Sequence, residues 1–577
     1  MTFDHVALII VTYLAGLRSS SPANKRGVAF WMVFVSSVMV DMLSALDLVS
    51  FFLTWARGVL VAYAEQTAVS TALPTIVDHL HGTDFIWAGS AYTVASTAIV
   101  PLIGNLVDAF GRKPILIAFV LVFALGSALS GAAQNMSMLI AGRTIQGLGG
   151  GGCIATTEII YADMVPLPER GKFQGIIASA WAVACAVGPP IGGALAGSGA
   201  WRWLFFLNLP LCGLSVVVTT VFLNVHTPKA SLREKITQMD WTGIIVMVGS
   251  TISILLALTW GGLQFRWTSD HVLAPLIIGA AGILTFFVLE LLWLKGPTVP
   301  RFFFTNRTTF SGYLGTIFHG IGFMAVVYYL PVYFQASKGA SAIGSGVDLL
   351  PLAFTIPAFA IATGLSAEIL RRYRPQNYIG WAFILVGFGI LTILDENSSR
   401  AAYIGMQIPL GVGLGIIWIS TQFPILAPLP VSNSAHALAF FTFLRSFAQS
   451  WGTIVGGTIL QNELARNLPE EFRTMFPGNV QIAYAAIPAI SSLPDSLRDE
   501  VRAVFARATR LIWQVMIGVA GAGLLSVLLM REETLREDMD EQWGLKEIGP
   551  EAKKAASSLE GEAGQDANVE LAQAPQV

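Results

Sequence analysis

Two charged side chains lie within long apolar runs of the sequence, where a buried charge could serve proton transfer. Asp47 interrupts the apolar stretch that begins near residue 30, and Arg143 lies a few residues inside another apolar run. An ionisable group at the centre of a bilayer costs about 2.5–3.5 kcal/mol or more unless it faces protein or water. We predict that Asp47 and Arg143 lie at similar depth and pair, and that protonation of Asp47 weakens their attraction. A purely structural ion pair is the alternative interpretation.

Further polar and aromatic side chains within apolar runs are candidates for proton coupling or for a binding cavity. His319 can titrate near neutral pH, although it could equally form a hydrogen bond within a helix bundle. Glu158 and Asp163 approach the end of one run, where we expect Asp163 to pair with Arg170. The cavity candidates are Gln146, Tyr329, Asp348, Trp418, Gln422 and Arg445.

The composition indicates that these residues belong to an integral membrane protein. Of 577 residues, 54% are hydrophobic and 12% are charged, against roughly 25% charged in an average soluble domain. The net charge of -2 and the absence of long basic blocks argue against a nucleic-acid partner. Three cysteines within apolar runs predict neither a disulfide framework nor a metal site. No phosphate-binding loop of the P-loop type is present, so we expect no ATP and no cofactor.

Apolar runs of about 20 residues, the length that spans a bilayer, predict an all-α protein with fourteen transmembrane helices. They begin near Phe30, Phe85, Pro114, Ser137, Gly171, Trp203, Trp241, His271, Thr309, Ser341, Asn377, Ala401, Ala435 and Thr509.

Lys and Arg fall mostly on one side of this arrangement, which predicts that both termini are cytoplasmic. The short loops on that side contain Arg112, Lys113, Arg170, Lys172, Lys229, Arg233, Lys235, Lys295, Arg301, Arg307, Arg371, Arg372 and Arg374, and the opposite short loops only Arg202, Arg266, Lys338 and Arg400. Residues 1–29 are then a cytoplasmic tail, 461–508 an external loop and 531–577 a disordered cytoplasmic tail.

Three motifs have spacings that an ordinary charged turn or apolar helix does not explain. The first is a polar turn between the second and third predicted helices, with Gly104, Asp108, Gly111, Arg112 and Lys113. The second surrounds Arg143 and Gln146 and continues into a glycine run. The third, in the fifth predicted helix, contains small residues that allow close helix contact and a proline that kinks the helix, namely Gly175, Gly188, Pro189, Gly192 and Gly193.

With these motifs, the chain resembles the fungal-type, fourteen-helix drug:proton antiporter branch of the major facilitator superfamily. The resemblance implies two six-helix halves, 30–224 and 301–530, with two additional central helices within 225–300. It also implies that the first motif is a cytoplasmic latch between the halves, that Arg143 modulates proton exchange, and that the third motif is typical of antiporters. A monomer in the plasma membrane, rather than the vacuolar membrane, is expected.

Residues 49–66 interrupt the first predicted helix with additional apolar sequence. Their removal joins Leu48 directly to Thr67, which restores a continuous helical motif. We therefore hypothesise that these residues derive from a retained intron.

The function predicted from the motifs is export of a small amphipathic compound, such as a toxin, drug or secondary metabolite, in exchange for protons. The halves would rock around a central cavity to give alternating access. Uptake of a siderophore or similar solute is the alternative within transport. A non-transporting membrane sensor is the alternative from another class, and no set of catalytic residues indicates an enzyme.

Overall fold

The computed structural model describes residues 32–34, 76, 79–80, 85–177, 195, 198–223, 239–261, 264–292, 299–473 and 487–536. Asp47, Gly188, Pro189, Gly192 and Gly193 lie outside these residues, as does the segment 49–66. The predictions that concern them therefore stay predictions.

The described residues are almost entirely helical, in agreement with the predicted all-α class. The helices are α1 (Phe85–Phe110), α2 (Arg112–Gly131), α3 (Met136–Met164), α4 (Trp203–Phe206), α5 (Asn208–Phe222), α6 (Trp241–Trp260), α7 (Asp270–Leu292), α8 (Phe302–Thr305), α9 (Arg307–Ala336), α10 (Ala342–Leu370), α11 (Arg374–Leu391), α12 (Arg400–Gly405), α13 (Gln407–Ser420), α14 (Gln422–Leu426), α15 (Ser434–Asn467), α16 (Glu470–Arg473), α17 (Ile487–Ile490) and α18 (Asp495–Ser526). A further helical stretch covers 167–177.

Most predicted helix starts agree with the structure to within a few residues. The predicted starts at Phe85, Trp203 and Trp241 coincide with the first residues of α1, α4 and α6. Within the described residues, nine helical segments are long and apolar enough to cross a membrane. The all-α membrane class is thus confirmed, and the count of fourteen remains a prediction.

A run of glycines in α3 brings this helix into direct contact with α1 and α2. A Cβ atom at Gly147 would lie 2.3 Å from the carbonyl oxygen of Tyr92 on α1. At Gly149 it would lie 2.4 Å from the backbone nitrogen of Phe123 on α2. Only glycine permits such an approach of neighbouring backbones. Helices α1, α2 and α3 therefore form one closely packed unit in the first half.

The second half is built around the long helix α9, which packs against α15 and α18. Helix α11 packs against α13 and α18, and α10 packs against α13. The additional helices α6 and α7 pack mainly against each other, and α6 also packs against α1. Because α7 is largely exposed, it lies at the periphery of the helix bundle.

The segment predicted as an external loop contains more helix than expected. Helix α15 continues to Asn467, and α18 begins at Asp495 rather than near Thr509. Leu464, Phe472 and Phe505 in this region are buried together in the main hydrophobic cluster. Apolar packing therefore extends both helices beyond the runs that were predicted from hydropathy.

The first residues of the predicted disordered tail are hydrogen-bonded to the second half. The hydroxyl of Tyr373 donates to the carbonyl of Arg531 at 2.8 Å, and its backbone N–H donates to the carboxylate of Glu532 at 3.0 Å. Leu535 is buried. Residues 531–536 are thus attached to the N-terminal end of α11, and the rest of the tail lies outside the described residues.

Candidate functional site

The polar turn between α1 and α2 is closed by one buried arginine that joins two carboxylates. Gly111 adopts φ 90°, a left-handed conformation that favours glycine. Arg112 then donates through Nη1 to Asp108 and through Nε to Asp163 at the end of α3, both at 2.9 Å. The structure thus places Asp163 with Arg112. Arg170, the partner we expected, donates to backbone carbonyls that include that of Val165, at 2.8 Å.

The same turn contacts the second half through a histidine. His436, in the first turn of α15, has Nδ1 3.3 Å from Oδ2 of Asp108 and Nε2 2.9 Å from the side-chain oxygen of Asn105. A Cβ atom at Gly104 would lie 3.4 Å from the Cα of His436. The polar turn therefore bridges the halves at their predicted cytoplasmic face.

Close backbone contact also joins the halves between the 167–177 helix and α10. A Cβ atom at Gly364 would lie 2.1 Å from the carbonyl carbon of Gly171, and one at Gly175 would lie 2.7 Å from the Cα of Ile361. Beside these contacts, Lys172 forms a 2.9 Å ion pair with Glu368. The ends of these helices at the predicted cytoplasmic face are therefore packed together, and within the described residues the two halves are in contact there. We call the contacts of Gly171, Lys172 and Gly175 with α10 the cytoplasmic closure.

A partly buried carboxylate connects the two halves next to this closure. Glu158 lies six residues before the end of α3, about 9 Å along the helix axis. Its Oε2 accepts hydrogen bonds from Nε2 of Gln174 at 2.9 Å and from Nε2 of Gln422, in the second half, at 3.4 Å. The charges of Arg445 and Arg170 also act on this carboxylate. Glu158 is thus an ionisable group shared by both halves.

The guanidinium of Arg445 is enclosed between two aromatic rings. Its Cζ lies 4.5 Å from the centroid of the Trp418 ring and 4.2 Å from that of Phe441. Nη2 donates to the backbone carbonyl of Trp418 at 3.0 Å, whereas Nε has no hydrogen-bond partner. Cation–π contacts with both rings compensate part of the cost of removing this charge from water. We call Glu158, Gln174, Gln422, Trp418 and Arg445 the central polar cluster.

His319 lies beside this cluster and is held by the bundle. It is buried, its Nε2 lies 3.1 Å from the carbonyl oxygen of Leu414, and its ring stacks on Phe323 and meets the edge of Trp418. This geometry is that of the structural alternative, a histidine hydrogen-bonded within the bundle. Its role in proton coupling stays a prediction.

Arg143 and Gln146 belong to a separate network inside the first half. Nη1 of Arg143 donates to Gln146 at 2.9 Å, and Gln146 donates to the hydroxyl of Ser127 at 2.8 Å. The guanidinium also lies over the Tyr92 ring, 4.7 Å from its centroid. The structure therefore gives Gln146 partners within the first half. The predicted pairing of Arg143 with Asp47 is not tested, because Asp47 lies outside the described residues.

Two further cavity candidates, Asp348 and Tyr329, lie in contacts between helices of the second half. Asp348 accepts from Nη2 of Arg400 at 2.7 Å and from the hydroxyl of Tyr403 at 3.0 Å, at the external end of α10. Tyr329 donates to the backbone carbonyl of Thr453 and covers the side of α15. Of the six cavity candidates, the structure brings Trp418, Gln422 and Arg445 together.

The main residue that our sequence reasoning left without a role is Glu158. A carboxylate within a spanning segment is a signal for a functional site, and this signal was available in the sequence. Its partner Gln422 is 264 residues away along the chain, so only the packed structure reveals that the carboxylate faces the second half.

The sequence comparisons identify the family to which these features belong. Residues 56–453 match the sequence model of the Major Facilitator Superfamily. The chain is 34% identical over 551 residues to "Efflux pump FUS6" of Gibberella moniliformis, covering 93% of this chain and 95% of that protein. It is 35% identical over 555 residues to "MFS-type efflux pump LUC4" of a Fusarium species, covering 94% and 95%. The chain belongs to the major facilitator superfamily, and it is a multi-pass membrane transporter of small molecules rather than an enzyme.

Solved structures agree with this family at the level of the fold. The proton:xylose symporter XylE aligns with 88% of this chain and 98% of its own, with a TM-score of 0.52 and 13% sequence identity. The human transporter MFSD10 aligns with 87% and 100%, with a TM-score of 0.50 and 12% identity. The predicted superfamily and its fold are thus confirmed.

Proposed function

We propose that this protein exports a small amphipathic organic compound in exchange for protons, and that Glu158 is a proton-binding group of the exchange. The observation behind the proposal is the position of Glu158. It is an ionisable group between the two halves, directly beside the cytoplasmic closure. The names of the two relatives, both of which are called efflux pumps, support the outward direction.

The charge of Glu158 strengthens the contact between the halves in the closed arrangement. Hydrogen bonds to a charged group contribute about 1.5–3 kcal/mol each, against about 0.5–1.5 kcal/mol for neutral pairs. Protonation from the external side would therefore weaken the bonds from Gln174 and Gln422 and end the attraction of Arg445. A loss of about 1–2 kcal/mol shifts a two-state equilibrium roughly tenfold toward separation of the halves.

Separation on the cytoplasmic side would let the proton leave and the substrate enter. A substrate that donates a hydrogen bond to the ionised carboxylate of Glu158 cannot bind in the same way to the protonated acid. Proton and substrate would therefore occupy the site alternately, which is the requirement for antiport. The Asp47–Arg143 pair predicted from the sequence would be a second proton-binding site.

Export can be tested first in cells. A fungal strain that overexpresses the protein is grown on a panel of toxic compounds. Resistance to a compound indicates export, whereas sensitisation indicates uptake, as in the siderophore alternative. No effect together with no transport in vesicles would favour the sensor alternative. A compound identified in this way then serves as cargo in proteoliposomes with an imposed pH difference.

The proteoliposome experiment compares Glu158→Gln with the unmodified protein. We expect the variant to exchange cargo across the membrane without a pH difference and to lose the stimulation by external acid. Glu500→Gln, which removes an exposed carboxylate of α18 outside the membrane, is the matched control and should keep this stimulation. Normal stimulation of Glu158→Gln would exclude Glu158 as a proton-binding group.

A further inference from the structure

We infer that the central polar cluster selects uncharged, flat compounds that carry a hydrogen-bond donor beside a carbonyl oxygen, as in a secondary amide or lactam. This inference rests on the proposed function, because it assigns the substrate class of the same site. It follows from the unpaired polar atoms of the cluster, the arrangement of its rings and the balance of its charges.

Two polar atoms of the cluster have complementary roles and no hydrogen-bond partner. Nε of Arg445 can only donate, and Oε1 of Gln422 can only accept. Gln422 is 1% exposed, so its oxygen has little access to bulk water. A buried polar atom without a partner costs about as much as a lost hydrogen bond. A ligand that offers one acceptor and one donor would satisfy both atoms.

The two atoms belong to side chains that both adjoin Trp418. Gln422 follows Trp418 by four residues, one helical turn, and Arg445 is hydrogen-bonded to Trp418. Glu158, Trp418 and Arg445 come from α3, α13 and α15, and each remains partly exposed although it lies between the halves. Parts of all three side chains therefore remain accessible between the halves, beside the two unpaired atoms.

A cationic ligand does not fit this surface. Aromatic rings would attract a cation through their faces, but Arg445 already occupies the space between the rings of Trp418 and Phe441. The positive guanidinium would also repel a second cation.

An anionic ligand fits only one of the two unpaired atoms. It would be attracted to Arg445 but repelled by Glu158, and it would leave the Gln422 oxygen without a donor. The charges around Glu158 are balanced, because Arg445, Arg170 and Arg112 are opposed by Glu158 itself, Asp163 and Asp108. The site has no excess charge to attract an ion, so an uncharged group is favoured.

Three small aromatic probes distinguish these classes. Carbostyril is a flat lactam with an N–H beside its carbonyl, coumarin has a ring oxygen in place of that N–H, and quinaldate is a carboxylate of similar size. The full-length protein in lipid nanodiscs is equilibrated with each probe by dialysis without a proton gradient, and binding to empty nanodiscs is subtracted. We expect carbostyril to bind about tenfold more tightly than coumarin, because only carbostyril supplies a donor.

Variants assign the preference to the proposed atoms. Gln422→Leu should abolish the preference for carbostyril while coumarin still binds, which also shows that the variant is folded. Arg445→Met should weaken both probes about tenfold, since the carbonyl loses its donor. Arg466→Met, at an exposed position on the same helix, should leave both unchanged.

Equal binding of carbostyril and coumarin to the unmodified protein, or tightest binding of quinaldate, would overturn the inference. A preference for carbostyril that survives in Gln422→Leu would also overturn it. Because no proton gradient is used, failure here leaves the proton-exchange proposal standing. Conversely, a normal response of Glu158→Gln to acid would leave the ligand preference intact.

Discussion

Replacement of Gly364 by alanine should prevent the protein from closing on its cytoplasmic side. The new Cβ would lie 2.1 Å from the carbonyl carbon of Gly171 and 2.3 Å from the backbone nitrogen of Lys172. Both are backbone atoms, so no side-chain rotation can relieve the overlap, and the helices must move apart. Overpacking of this kind costs about 1–3 kcal/mol. The closed arrangement should therefore be disfavoured by a factor of about 5–150.

The assay measures access to α10 from the cytoplasmic side. A cysteine replaces Ile361, whose atoms contact the position of Gly175 across the closure, after the native cysteines have been changed to serine. Inside-out vesicles are treated with a membrane-impermeant maleimide. We expect Gly364→Ala to react several-fold faster than the parent protein and to export cargo more slowly.

Gly346→Ala is the matched control, because Gly346 lies on the same helix and a Cβ there meets nothing within 4 Å. It should behave as the parent protein does. If Gly364→Ala reacted at the parent rate and exported normally, the backbone contact between the halves would not limit closure, and the reasoning would be refuted.

Three further predictions concern the charged contacts. Arg112→Gln leaves two carboxylates without their shared cation and should lower the free energy of unfolding by about 3 kcal/mol. This loss should be measurable as a lower unfolding temperature and slower transport, and Arg112→Lys should restore both in part. A double-mutant cycle on Lys172→Gln and Glu368→Gln, measured by the rate of maleimide labelling, should give a coupling energy below about 1 kcal/mol, because both side chains are partly exposed. A larger coupling energy would mean that this ion pair, rather than the glycine contact, stabilises the closure. Asp348→Asn should lower the unfolding temperature without changing the apparent affinity for cargo. A clear loss of affinity would instead indicate that Asp348 contacts the substrate.

The membrane helices were largely predictable because hydrocarbon imposes a simple requirement on them. A helix must be about 20 residues long and apolar, so the starts of α1 and α6 could be read directly from the sequence. This requirement ends at the membrane surface. The additional turns of α15 and α18 are held by packing through residues such as Phe472 and Phe505, and the hydropathy of the sequence did not predict them.

The polar turn between α1 and α2 could be located from the sequence, but its partners could not. The latch role was implied by the resemblance to the superfamily and stays a prediction, and the structure shows the turn in contact with the second half through His436. The pairing of Arg112 with Asp163 depends on how α2 and α3 pack, which no spacing in the sequence specifies. The expected partner of Asp163, Arg170, is nearer in sequence but donates to backbone carbonyls.

The central polar cluster was predictable only as separate residues. Trp418, Gln422 and Arg445 were candidates because polar and ionisable groups within membrane segments are costly and therefore often functional. The contact that unites them with Glu158 crosses from one half to the other and forms only after both halves have folded. Gln146 and Asp348 met the same criterion, yet the structure gives them partners within their own halves.

The glycine run of α3 has a consequence for the biogenesis of the protein. This helix is not among the described helices that are apolar enough to cross a membrane by themselves. Each glycine within a helix also costs about 0.5–1 kcal/mol relative to alanine, so α3 is a weak helix when isolated. Its stability comes from the backbones of α1 and α2, which precede it along the chain. During synthesis, stable integration of α3 therefore depends on these two helices being already in the membrane beside it.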